Sequence, residues 1–163
     1  MRKIIFLSVT LFFLIFMTAC DSGQRIRIDN NTPSTNLSDI YIESLKIGND
    51  INNADMSIFT HTQSQNDFFS FWFKEIAFKS TDNGVITEIF IREPDEIDYF
   101  INGKNDLKTI EQITDELGQN YNEYQYDRQQ SLRAITYTDR ENKINFTLVY
   151  SDYDNNLIWL ILN

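Results

Sequence analysis

The chain has 163 residues, 24 acidic against 14 basic side chains, a formal net charge of −10, one cysteine and one histidine. That excess of acid argues against nucleic acid, whose phosphates need clustered Lys and Arg. A lone cysteine excludes an intrachain disulfide framework, so any fold must stand on its apolar core.

Arg2 and Lys3 precede an apolar run over residues 4–17, broken only by Ser8 and Thr10, that ends in Thr18-Ala19-Cys20. A membrane-spanning helix needs about 20 apolar residues. A basic start, a shorter apolar stretch and small residues before a cut describe a signal peptide over residues 1–19. The sequence "MTAC" at 17–20 resembles the lipobox of bacterial lipoproteins, with Met17 where that family usually carries Leu. The resemblance implies cleavage before Cys20, a thioether-linked diacylglycerol on its sulfur, and a place on the extracytoplasmic face of a cell membrane. Two acyl chains give stable attachment where one gives marginal binding. Residues 20–36 are polar, with Gly23, Pro33 and a Ser/Thr/Asn cluster, and predict a flexible lipidated tether.

Residues 37–47 suit a helix through Leu37, Ile40, Tyr41 and Leu45, or a strand through Ile40 and Ile42. Residues 68–80 (FFSFWFKEIAFKS) and 85–93 predict strands joined by the turn Thr81-Asp82-Asn83-Gly84. Alternation would point Phe69, Phe71 and Phe73 one way and Phe68 and Trp72 the other. Pro94, acids in the first turn and Asn102-Gly103 at the end predict a helix of about two turns, with Ile97, Phe100 and Ile101 inward. A second helix is expected over 107–117, capped by Asn105 or Asp106 and closed by Gly118, its stripe being Leu107, Ile110, Ile113, Thr114 and Leu117. Strands over 132–138, 143–150 and 156–162 follow, with polar turns between them. In the middle strand Ile144, Phe146, Leu148 and Tyr150 alternate with Asn145 and Thr147, as in a sheet wet on one side.

Residues 47–56 (IGNDINNADM) parallel 101–118 (INGKNDLKTIEQITDELG): each has Gly, then Asp, then an apolar segment leading into strands. The pattern resembles the small repeats of SmpA/OmlA outer-membrane lipoproteins and of beta-lactamase-inhibitor-type domains, and paired copies in Gram-positive lipoproteins. The first copy lacks Leu-Gly, and Gln119 follows Gly118 where the outer-membrane family commonly has Pro. The expected fold is α+β: a two-layer antiparallel sheet with short helices on one side, in two tandem related halves, 37–93 and 94–163.

Catalytic motifs are scarce. No nucleophile elbow, His-Glu-x-x-His, Cys-x-x-Cys, P-loop or dinucleotide fingerprint occurs, so no cofactor is expected. His61 sits in a polar stretch and reads as a loop residue. "DYDNN" at 152–156 has the alternate acids of a calcium loop, but Leu157 stands where Gly is required, and a hairpin turn explains the same residues. Aromatics carry more signal. Trp72, in a strand apolar on both faces, and Tyr121, Tyr124 and Tyr126, beyond the second helix, are the candidate partner-binding residues, with burial within the chain as the competing account. The expectation is a membrane-anchored, non-catalytic module that binds a protein. The alternatives are a glycan hydrolase using two carboxylates and a small-ligand carrier.

Overall fold

The computed structural model describes residues 31–61, 69, 71–105 and 107–163. The expected signal peptide over residues 1–19, Cys20 and the expected tether as far as Asn30 lie outside the described residues, as do Phe68 and the cap expected at Asp106.

Ten described strands fall into two antiparallel sheets. Strands β1 (Ile40–Ile42) and β6 (Tyr99–Ile101) pair with each other, Tyr41 opposite Phe100. The remaining eight are β2 (Thr60–His61), β3 (Phe71–Phe73), β4 (Ile76–Ser80), β5 (Ile86–Arg92), β7 (Asn122–Asp127), β8 (Leu132–Asp139), β9 (Ile144–Ser151) and β10 (Leu157–Leu162). They form one open sheet in the order β2-β3-β4-β5-β10-β9-β8-β7. Two four-stranded meanders thus meet where β10 pairs with β5, Phe90 opposite Ile161.

Helix α1 (Ile110–Leu117) lies on the inner face of this sheet. Its cap is Thr109, three residues inside the expected start. The Thr109 hydroxyl accepts from the Gln112 backbone N–H, and the Gln112 side chain accepts from the Thr109 N–H, so each satisfies a donor the helix end would otherwise leave open. Ile110, Ile113, Thr114 and Leu117 are buried, as their spacing predicts, while Leu107 packs beside them from outside the helix. Gly118 closes α1 at φ 83°, a conformation in which a side chain would be strained. Also facing inward are Leu37, Ile40, Ile42, Ile76, Phe78, Ile89, Ile91, Phe146, Leu148, Leu160 and Leu162. The helix and the 3-10 turns near residues 51–58 all pack against this side.

Three expectations are corrected. The segment after Pro94 is a single 3-10 turn, Pro94–Glu96, that gives way to β6; Ile97, Tyr99 and Ile101 are buried and Phe100 is half-exposed. Pairing with β1 decides this, since it supplies backbone partners far away in sequence. Residues 71–80 are two strands, folded back at Lys74-Glu75, where Lys74 takes φ 48°. The face of β9 expected to be wet is not: Thr147 and Val149 are buried beneath neighbouring side chains of the sheet itself, and the Thr147 and Thr136 hydroxyls share a hydrogen bond of 2.8 Å.

Residues 32–37 form a strap tied to one end of the sheet. The Thr35 N–H donates to the Thr138 carbonyl (3.0 Å), the Arg140 N–H to Ser34 Oγ (3.0 Å) and Arg140 Nη2 to the Thr32 carbonyl (2.6 Å). Thr32 Oγ1 donates to Asn122 Oδ1 (2.7 Å), and the Leu37 N–H to Asp139 Oδ2 (2.9 Å). The sequence predicts a tether as far as residue 36; its described portion from Thr32 onward is part of the fold.

Candidate functional site: the open face of the sheet

Side chains that point away from α1 build the second face. At its centre Leu132, Ala134 and Val149 are buried under Tyr124, Ile158, Trp159 and Ile161. A register shift between Leu157 and Trp159 in β10 leaves Ile158 as an extra residue, so that both Ile158 and Trp159 reach the outer cluster. The small side chains of Ala134 and Val149 leave room for larger rings to lie over them. Trp159 accordingly meets Tyr126 edge to face at 5.5 Å between ring centroids, although β9 and β8 run between their strands.

The contacts continue across the sheet. Trp159 is 6.2 Å from Phe90, Phe90 stacks on Phe69 at 5.7 Å, and Phe69 meets Trp72 edge to face at 5.7 Å. Five rings therefore form one connected row, with Trp72 (38% exposed) at one end and Tyr126 (41% exposed) at the other. Edge-to-face and offset contacts suit the quadrupoles of the rings. Burial raises the Tyr126 phenol above its ordinary pKa and keeps it protonated, a polar tip on an apolar body.

The same face is polar toward the end that carries the strap. Lys79 Nζ donates to Glu88 Oε2 at 3.0 Å, and Thr138 Oγ1 to Asn145 Oδ1 at 3.0 Å. At the opposite end Arg92 Nε pairs with Glu75 Oε2 at 2.5 Å, which holds the Glu75 carboxyl below its usual range. Two buried polar atoms of β7, Tyr124 Oη and Asn122 Nδ2, have no hydrogen-bond partner among the described residues.

Of the residues singled out from sequence, Trp72, Tyr124 and Tyr126 come together on this face. Tyr121 does not. It packs on the inner side, edge to face with Tyr137 at 5.5 Å, its hydroxyl donating to Gln119 Oε1. Phe69 belongs with Trp72 rather than with Phe71 and Phe73, which pack against the inner core. Sequence reasoning missed Phe90 and Trp159, the middle of the row. "LIWLIL" is apolar on both faces, and that doubling was an available signal, whereas in "EIFIRE" Phe90 shares its face with Glu88 and Arg92.

Elsewhere the polar groups are absorbed by structure. A depression of about 500 Å³ is lined by Ser34, Asn36, Ser38, Asp139, Glu141 and Asn142. Within it Asp139 is only 2% exposed. It accepts from the N–H groups of Leu37 and Asn142 and from Asn142 Nδ2. Asp154 accepts from the Asn156 backbone and side-chain amides in the β9–β10 turn, while Asp152 lies 3.7 Å from Arg133. Among the described residues no group of three or more His, Cys, Asp or Glu is placed to hold a metal ion. His61 enters β2, its backbone paired with Phe71.

No family model matches the chain, and comparison with curated proteins and with solved structures finds no match. None of the described helices is long and apolar enough to cross a membrane.

Proposed function

We propose that the protein is a lipid-anchored, extracytoplasmic module that does no chemistry of its own and binds another macromolecule, a protein, through the open face of its sheet. One observation carries this reading. A connected row of five aromatic rings, four from the sheet and Phe69 from the segment before β3, crosses this face with Trp72 and Tyr126 substantially exposed at its ends. Rings of this type supply large contact areas at little cost in conformational entropy and are enriched at the centres of interfaces. The anchor reading rests on the apolar N-terminus and "MTAC" at 17–20.

The two-copy reading is part of the proposal, and several parallels favour it. Glu43 and Asn102 both turn the chain at φ 52° directly after β1 and β6. Asp50 and Thr109 each cap the helical segment that follows and each bridge to the residue before the last strand of a meander, Val85 and Asn156. Glu43 and Asn102, like Asp50 and Thr109, are 59 residues apart, while Val85 and Asn156 are 71 apart. Asn52, Asn53 and Asp55 in the first copy favour turns, and 3-10 segments stand where the second copy has α1.

A photo-reactive residue placed at Tyr126, or at Tyr41 on the opposite side of the molecule, tests the binding face. The two positions are almost equally exposed, 41% and 38%, so bare accessibility predicts equal cross-linking. A discrete protein adduct in native envelopes from position 126 alone, lost when Trp159→Ala is added to a protein that still melts cooperatively, is the expected result. Adducts from both positions, or from neither, overturn the reading.

A further inference from the structure

We infer that the strap orients the domain on the membrane, with the β8–β9 turn (140–143) toward the bilayer and the Trp159–Tyr126 end of the aromatic row away from it. The inference rests on the lipid-anchor reading of Cys20 and adds a direction to it. Thr32 is bound at the sheet end formed by the start of β7, the end of β8 and Arg140, through Asn122 Oδ1 and Arg140 Nη2. Whatever path the chain takes from Cys20, twelve residue steps reach at most about 40 Å. The anchor therefore pulls on one end of the sheet, and strand β9 carries the β9–β10 turn about 25 Å further off at the usual rise per residue.

Three features of the face fit that direction. The polar pairs Lys79–Glu88 and Thr138–Asn145 lie toward the strap end, where headgroups and water would be met. Trp159 is in register with Arg92 at the end of β5, and Tyr126 precedes the last residue of β7, so this half of the row lies toward the far end. Carboxylates are in excess there too: Asp152, Asp154, Glu93, Asp95 and Glu96 are exposed or lie in exposed turns and outnumber the cations Lys74, Arg92, Arg128 and Arg133 of the same end, and Pro94–Glu96 packs beside β10. An anionic leaflet repels that end. The partner is thus met in the aqueous envelope space, and the rings are not a lipid-insertion surface.

The test uses the full lipidated chain in vesicles of phosphatidylcholine and phosphatidylglycerol. Because Cys20 is the only native cysteine and carries the lipid, Glu141→Cys and Tyr153→Cys each introduce a single thiol for a fluorophore, one at each end of β9. Both positions are exposed, Tyr153 at 85%. Spin-labelled lipid headgroups should quench the label at 141 several-fold more than the label at 153. Adding Arg140→Ala and Asn122→Ala together, which removes both side-chain partners of Thr32, should loosen the strap at its first residue and narrow that difference. Equal quenching, stronger quenching at 153, or a difference untouched by the double substitution at 122 and 140 overturns the orientation. A chain that carries no lipid and does not join the vesicles overturns the anchor reading, and the orientation falls with it.

Discussion

Trp159 and Tyr126 touch edge to face at 5.5 Å although two strands lie between their own, because Ala134 and Val149 beneath them are small. This contact links the two ends of the second meander's outer face. Trp159→Ala should remove it together with the Phe90 contact. In the free protein the cost should be about 1–2 kcal/mol, below the ~3–5 kcal/mol of a fully buried ring. Loss of partner cross-linking should be far larger than that stability change implies, and urea denaturation beside the cross-linking assay separates the two.

Asp139 joins the strap to the β8–β9 turn. Burial alone would push its carboxyl up, but the N–H groups of Asn142 and Leu37 and the Asn142 side chain outweigh it and hold the pKa below the ordinary carboxylate range. A depressed folded-state pKa contributes stability that is fully present above the unfolded value and lost as pH falls through the folded one. Asp139→Ala should therefore lower stability at neutral pH by about 1–3 kcal/mol, by leaving buried N–H groups unpaired. It should also flatten the acid limb of the stability curve. Chemical denaturation from neutral pH down past the carboxylate range checks both.

At the start of α1, Thr109→Ala removes one half of the reciprocal pair with Gln112. A loss of about 1 kcal/mol is expected. Thr109→Ser, which keeps the oxygen, should recover most of it, and thermal melts of the two variants side by side distinguish cap loss from general disruption.

Ile113 is fully buried at the centre of the helix stripe. Ile113→Asp would place an unpaired charge against Ile and Leu side chains and should destabilise the domain by several kcal/mol, enough to unfold a marginal domain. An unchanged melting temperature would show that α1 does not dock on the sheet through this face.

For the anchor, Cys20→Ser should abolish incorporation of labelled fatty acid and release the protein from the membrane fraction. Normal labelling of that variant would end the lipoprotein reading.

Much of the fold was legible because local signals agreed with burial. The stripe of α1, the turn at 81–84 and the strands around β9 follow from periodicity and turn residues. What was not legible depended on distant partners. The segment Asp98–Ile101 carries helix-start chemistry from Pro94 onward, yet it becomes β6 because Ile40–Ile42 lies alongside. Lys74-Glu75 has none of the usual turn residues, and Lys74 enters a left-handed conformation because apolar pairs on both sides, Phe71 with Phe78 and Phe73 with Ile76, close around it. At the candidate site, Trp72, Tyr124 and Tyr126 stood out as aromatic clusters. Trp159 lay in a run apolar on both faces and Phe90 between Glu88 and Arg92 on an otherwise polar face, and only the sheet order and the register shift in β10 bring the two rings together.

The strand order carries one more consequence, for the time at which the sheet can assemble. Strand β10 comes last in the order of the strands and lies in the middle of the sheet, between β5 and β9. While the chain is being made, the first meander can form early, but its apolar edge at β5 waits for a neighbour some 70 residues downstream, and the second meander has no complete inner face until the same segment arrives. Long-range pairing of this kind is slow relative to local hairpins. The unit should therefore acquire its protease resistance in one late step, and a chain interrupted before Leu157 should persist as two sticky half-sheets rather than as a shortened domain.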